Sequence, residues 1–309
     1  MFKTVSLLIL SLLVLPVIAY YYDEPLSAVQ WHAVQQMLCC LLAVAGLCFI
    51  TAELTRNYSQ VDKARTLIAV VYVWFFAIQS GWNERMVGMA VLTTIWSVRL
   101  TYNLARRGGF SWIPWGGKED YRWKVLRERT PAFQNRWIWA IFNLFFIALY
   151  RNALVFMFIA PIIVAWQGSH TPINGLDYVA AFGFLGFVLM QAIADQQQYY
   201  FQTEKYRKIA AGEPLSGDYQ RGFRTTGLWA WMRHPNYTAE QAIWLCFYLF
   251  SVAATGRWIN WSLAGPILLM LLFIGSADFT EQLSSEKYPA YADYQKKVSR
   301  FIPWRKFAK

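Results

Sequence analysis

The sequence predicts an all-α, polytopic membrane protein: a bundle of about eight transmembrane helices (seven to nine), with its polar chemistry gathered on one side of the bilayer at the helix ends. Three observations carry this reading. Of 309 residues, 57% are hydrophobic and only 15% charged, against about 25% charged in an ordinary soluble domain. Long apolar runs alternate with compact basic segments. Three large polar segments, 105–136, 195–239 and 278–309, hold 21 Lys and Arg against 11 acids, which accounts for nearly all of the net +11.

Runs of roughly 17 to 25 apolar residues, the length that crosses a bilayer, occur at 4–20, 31–54, 64–81, 86–104, 137–166, 176–194, 240–255 and 259–277. The first carries a single lysine before its apolar stretch and resembles a signal peptide in outline. It is read here as a transmembrane helix, because the topology needs it. The fifth run is overlong and contains Arg151 and Asn152, so it is tilted, broken or two shorter segments. With eight spans, the three basic segments and the short loop 55–63 fall on one side. The excess of Lys and Arg makes that side cytoplasmic, together with both termini. The expected location is the plasma membrane of a bacterium or the endoplasmic reticulum of a eukaryote.

Cys39, Cys40, Cys48 and Cys246 all lie in apolar runs, which offers neither a disulfide framework nor a metal-binding CxxC pair. His32, His170 and His234 are too few and too scattered for an ordinary zinc or haem centre. No metal is expected. The basic residues flank lipid-embedded helices, and no nucleic-acid-binding motif is visible, so the expected partners are membrane lipid and a hydrophobic small molecule. Neither GxGxxG nor GxxxxGK[ST] is present, so a nucleotide would need a site built from side chains.

The strongest local signal is Arg233-His234-Pro235-Asn236-Tyr237-Thr238-Ala239-Glu240, followed by Trp244. Pro235 suits the first position of a helix, where its missing N–H costs nothing. From there Asn236, Glu240 and Trp244 stand at i, i+4 and i+8 on one helix face, with Tyr237 beside them. A carboxylate this deep in a membrane helix needs a partner. It either ties the helix to a neighbour or contacts a ligand.

Arg99, Tyr102 and Arg106 form a second cluster at the end of the fourth run, as interfacial anchors or site residues. Asn57, Ser59 and Asp62 precede the third run, as a helix cap or a polar site element. Gln191, Asp195, Gln198 and Gln202 make a polar stripe leaving the sixth. Tyr288-Pro289-Ala290-Tyr291, continuing to Tyr294, Val298 and Phe301, has the pattern of an interfacial helix.

The His-Pro-Asn-Tyr-x-x-Glu segment, the Asn-x-Ser-x-Val-Asp loop, the Ala-Asp-x-Gln exit of the sixth run, Thr226-Gly227-Leu228-Trp229 and the terminal Tyr-Pro-x-Tyr with Ile-Pro-Trp together resemble the DUF1295 group of the steroid 5-alpha-reductase superfamily. The resemblance runs from about 57 to 304, which leaves 1–56 as N-terminal transmembrane helices before a domain at 57–309. It implies a helical membrane fold that binds NADPH among its cytoplasmic helix ends and reduces a carbon–carbon double bond conjugated to a carbonyl. By position, Asn236 and Glu240 would hold the nicotinamide end and Asp195 would contact the cofactor, with Arg224, Arg233, His234 and Tyr237 as further cofactor contacts. Tyr102 corresponds to a catalytic tyrosine that polarises the substrate carbonyl, with Arg106 as a phosphate partner. Where the steroid enzymes carry a Gln-Glu pair, this chain offers Asn57 and Asp62, for substrate binding and catalysis, and Trp244 would face the substrate. The four helix ends would form a single site.

The same Arg-His-Pro-x-Tyr motif is similar to one in isoprenylcysteine and phospholipid methyltransferases, which bind S-adenosylmethionine. There Glu281 would supply an acid that pairs with an active-site arginine. A lipid-binding protein without catalytic activity is the third reading.

Overall fold

The computed structural model describes residues 23–304 together with Val14, Val17, Tyr20 and Tyr21. The predicted run 4–20 therefore falls almost wholly outside the described residues. The described chain is all-helical: among these residues the sole extended pairing is a parallel bridge between Met232 and Ser299.

Each remaining predicted run lies in a helix. The helices are α1 (Ala28–Thr55), α2 (Gln60–Gln79), α3 (Glu84–Arg106) and α4 (Tyr121–Arg129), then α5 (Arg136–Phe142), α6 (Arg151–Ile159) and α7 (Pro161–Gln167), and finally α8 (Gly175–Ala210), α9 (Pro235–Thr255), α10 (Ala264–Lys287) and α11 (Tyr291–Lys297). Among the described residues, four helical stretches are long and apolar enough to cross a membrane: α1, Arg136–Gln167, α8 and Trp261–Lys287. Helices α2, α3 and α9 are more polar, with Asp62, Lys63 and Arg65 in the first, Arg85 and Arg99 in the second, and Asn236, Glu240 and Gln241 in the third.

The chain divides into two units. One holds the described residues up to Ala181 together with Trp244–Leu269, and the other holds Phe182–Ile243 and Met270 onward. In the first, the stretch Arg136–Gln167 is the centre: 83% of its apolar window is buried, against 28% for α1. The overlong run is one helical stretch broken by a turn at Ala160, ahead of Pro161. It opens into a wider π-helical turn at Asn143–Tyr150, between α5 and α6. Such turns remove a residue from the ordinary ladder and re-aim side chains, and they cluster at polar sites. Here Asn143 Nδ2 donates to Glu53 Oε1 at 2.9 Å, and Arg151 Nη2 donates to Asp62 Oδ1 at 2.5 Å. Arg151, the charge in the middle of this stretch, thus faces protein.

Close approach elsewhere in the unit depends on glycine. A Cβ at Gly265 would lie 2.0 Å from the Met157 carbonyl oxygen, so only hydrogen fits between those backbones. At the start of α3, the buried Arg85 guanidinium clasps Asp177, Nε to Oδ1 at 2.7 Å and Nη2 to Oδ2 at 2.9 Å. It also donates to the carbonyls of Thr171 and Pro172. Nearly every donor of the fork is therefore answered, which offsets the cost of taking two charges out of water. Aromatic packing fills the interior: Trp244, fully buried, lies 4.1 Å from the Phe158 ring centroid and 4.9 Å from that of Trp96.

The second unit contains the C-terminal part of α8, the loop 211–234, the first part of α9, the last part of α10 and α11. Its C-terminal segment is packed by Tyr291, Tyr294 and Val298 against Phe223 and Tyr288.

The Arg85–Asp177 clasp yields a direct prediction. Asp177→Asn leaves the buried guanidinium without its counter-ion and destabilises the detergent-solubilised protein by about 3 kcal/mol, read as a lower midpoint in denaturant unfolding. An unchanged midpoint would show that the pair contributes nothing net.

Candidate functional site

In the second unit, the polar stripe of α8 and the first turns of α9 meet. Gln191 Nε2 donates to Glu240 Oε2 at 2.6 Å, with both side chains buried. This is one partner for the carboxylate that the sequence demanded, supplied by an amide. Asp195, one turn further along α8, is also buried. Asn236 caps locally, its Oδ1 accepting from the Tyr237 backbone N–H at 3.1 Å.

On the other face of α8, turned away from Gln191 and Asp195, lies an open groove of about 490 Å³ lined by Ala192, Ile193, Gln196, Gln197, Tyr200 and Arg224. Its size is that of a small-molecule site. Arg224 is held in place by backbone acceptors: Nε donates to Thr226 O at 3.1 Å and Nη1 to Gln197 O at 3.0 Å. An arginine fixed in this way has lost little side-chain freedom still to be ordered by a ligand, and its fork suits phosphate or carboxylate. Gln197 is fixed too, its Oε1 accepting from Leu228 N at 3.1 Å. That contact requires Gly227, whose φ is +67° and whose Cβ, if present, would stand 2.6 Å from the Gln197 amide. The Thr-Gly-Leu-Trp segment is therefore a backbone device that seats one glutamine and one arginine.

Arg233 and His234 are engaged differently. The Arg233 fork donates to Glu281, Nε to Oε1 at 2.8 Å and Nη2 to Oε2 at 3.1 Å, while Nη1 reaches the carbonyls of Gln295 and Val298. His234 Nε2 donates to Glu281 Oε1 at 2.9 Å, and its ring stacks on Tyr237 at 5.0 Å. Arg300 and Gln295 complete the set around the same carboxylate. Backbone bonds from Arg233 N to Ser299 O and from His234 N to Arg300 O lay the C-terminal segment along residues 232–234 as a strap. Burial lowers the His234 pKa, opposed by its bond to Glu281.

The first unit carries the other predicted residues. Asn57 Nδ2 donates to Gly117 O at 3.0 Å. Ser59 stands before α2 as expected, but its hydroxyl accepts from Asp120 N at 2.9 Å instead of capping the helix. Asp62 is buried and paired with Arg151, with Arg65 Nε at 3.8 Å. Tyr102 is 64% exposed at the end of α3. Arg106 lies 5.4 Å over its ring and also donates twice to Asn103 Oδ1. Trp244 sits in the aromatic core described above, fully buried.

Sequence reasoning did not single out Gln196, Gln197 or Tyr200. The signal was the polar run Gln196-Gln197-Gln198-Tyr199-Tyr200, of which the stripe drew only Gln198. Arg151 as the partner of Asp62 was equally unforeseen. Among the described residues no group of three or more His, Cys, Asp or Glu is placed to hold a metal ion.

The family model described as "Protein of unknown function (DUF1295)" matches residues 48–298. The chain belongs to this family. It is also 36% identical over 260 residues to an uncharacterized protein of Schizosaccharomyces pombe, covering 81% of this chain and 73% of that one. No solved structure matches at a significant level. Within this DUF1295 protein, the Arg-His-Pro-Asn-Tyr motif divides its labour: Arg233 and His234 anchor the strap, and Glu240 meets the stripe of α8.

Two outcomes follow. Gly227→Ala adds a Cβ where both φ and Gln197 forbid it, costing about 1 kcal/mol or more and displacing Gln197, which a shift in the unfolding midpoint and altered hydrogen exchange at 227–229 would report. For His234, the folded pKa lies below the unfolded value of about 6.5, so the unfolded chain takes up the proton first. The stability His234 contributes is present above about pH 6.5 and is lost as pH falls from there through the lower folded pKa. His234→Gln should flatten this slope in unfolding measured across pH, and an unchanged slope would remove His234 as its source.

Proposed function

We propose that the chain is an NADPH-dependent membrane reductase acting on a carbon–carbon double bond conjugated to a carbonyl, in a hydrophobic lipid or steroid-like substrate. The observation that carries this reading is Arg224, clamped by two backbone carbonyls on the wall of a 490 Å³ cavity. A fixed guanidinium edge beside glutamine side chains suits a ligand with phosphate and ribose groups, which fits a phosphorylated dinucleotide. When bound, NADPH supplies the hydride. The residues here supply binding and orientation. Arg224 faces the phosphate, and Glu240, whose carboxylate accepts hydrogen bonds, suits the amide N–H groups of a carboxamide ring. Asp195 and Asn236 add polar contacts near it. Hydride addition to an enone builds negative charge on the carbonyl oxygen, and a phenol such as Tyr102 is the donor that the family resemblance assigns to it. An eight-span topology with both termini cytoplasmic belongs to the same proposal.

A second reading, S-adenosylmethionine-dependent methyl transfer, is favoured by one observation: Glu281 does pair with Arg233, as that reading requires. Against it, the carboxylate is already answered by Arg233, His234, Arg300 and Gln295.

Titrating NADPH into the purified protein while following energy transfer from its tryptophans separates the two. Saturable binding of NADPH is expected, and stabilisation by S-adenosylmethionine alone would reverse the assignment. Arg224→Gln should weaken NADPH binding about 10- to 100-fold, the worth of a charged hydrogen bond, with Arg224→Lys recovering part of it. In turnover assays against lipid extracts, Glu240→Gln should keep the fold and lose most activity; retained turnover would leave Glu240 a purely structural role.

A further inference from the structure

The segment 108–118 is closed on itself. Lys118 N donates to Gly108 O at 2.7 Å, Gly109 N donates to Leu104 O, and a turn joins Gly116 N to Ile113 O. Ser111 Oγ accepts from Ile113 N inside the loop. Compact surface loops whose ends meet in this way are frequently functional.

Its base is pinned to the chain that immediately follows α1. Lys63, itself 7% exposed, donates through Nζ to Gly116 O at 2.6 Å and Pro114 O at 3.3 Å. Gln60 Nε2 donates to Pro114 O at 2.7 Å and Asn57 Nδ2 to Gly117 O. These anchors lie two to eight residues beyond Thr55, where a helix long and apolar enough to cross a membrane ends. The same connecting segment runs on to Arg136, where another such helix begins, its second residue Trp137 76% exposed. Two candidate spans therefore fix the height of the loop at the boundary between hydrocarbon and water.

The fixed base turns outward what a soluble protein would bury. Trp112 is 81% exposed, Trp115 77% and Ile113 52%, with the exposed cations Arg107 and Lys118 at either end of the loop. Tryptophan is the side chain most at home among lipid headgroups, and flanking cations favour anionic ones.

We propose that loop 108–118 is a membrane-docking element that seats Trp112, Ile113 and Trp115 in the headgroup layer, with Arg107 and Lys118 against anionic phospholipid. The inference stands apart from the cofactor reading, since it needs no activity. A lid over bound ligand, or a contact with another protein, would use the same side chains but would shield them from lipid.

The test uses the full chain in nanodiscs of phosphatidylcholine, with and without phosphatidylglycerol. Subtracting the fluorescence of Trp112→Phe/Trp115→Phe from that of the unaltered protein isolates two of the sixteen tryptophans. Because both are exposed, the double variant should unfold at the same midpoint. The difference signal should lose most of its intensity to lipid brominated near the headgroup end of its acyl chains and resist iodide in the water. Arg107→Glu/Lys118→Glu should reduce the quenching gained on adding phosphatidylglycerol. A red-shifted difference signal that iodide quenches overturns the proposal. Quenching by neither agent, the mark of a loop closed against protein, overturns it as well.

Discussion

A carboxylate enclosed among apolar helices must be answered by donors, because the cost of an unpaired buried charge exceeds the whole margin of stability that a protein of this size has to spare. Glu281 is where this constraint organises most. Its two oxygens take Arg233, His234, Arg300 and Gln295, and those residues belong to the loop that enters α9, to α11 and to the C-terminal strap. The network fixes residues 233 and 234, which fixes the entry of α9 at Pro235. The position of Glu240 one and a half turns later follows from that entry. Asp62 with Arg151 and Asp177 with Arg85 obey the same rule in the other unit.

This constraint also explains how much could be read from the sequence. Apolar runs mark helices because length and hydropathy act locally, and each run at 31–54, 64–81, 86–104, 137–166, 176–194, 240–255 and 259–277 does lie in a helix. The need of Glu240 for a partner was legible too. The identity of the partner was not, because Gln191 lies 49 residues away and only the fold brings it near. Arg151, 89 residues from Asp62, is the same case. The overlong run 137–166 betrayed an irregularity through Arg151 and Asn152, but not its form. A π-helical turn leaves no spacing signature that distinguishes it from a kink or a break.

The site is the part in which composition misled most usefully. In the sequence, Arg224 and Arg233 are indistinguishable as basic residues of one polar segment. The structure separates them: every guanidinium nitrogen of Arg233 is spent on Glu281 and the strap, whereas Arg224 is steadied by carbonyls on the edge of a cavity. That difference is why the proposed cofactor reading rests on Arg224 rather than Arg233. It also gives Gly227 a reason to be glycine, and it draws Gln196, Gln197 and Tyr200 into the site. Membership of the DUF1295 family is consistent with a shared scaffold of this kind, while the chemistry rests on the cavity.

The most direct test of that assignment is a hydrogen-exchange footprint of the full chain in nanodiscs, with and without NADPH. Slowed exchange at the amides around 224–229 and along the cavity-lining stretch of α8, 192–200, is the predicted result. Protection confined to the strap at 295–300 and residues 233–234, or protection by S-adenosylmethionine and not by NADPH, would contradict the account.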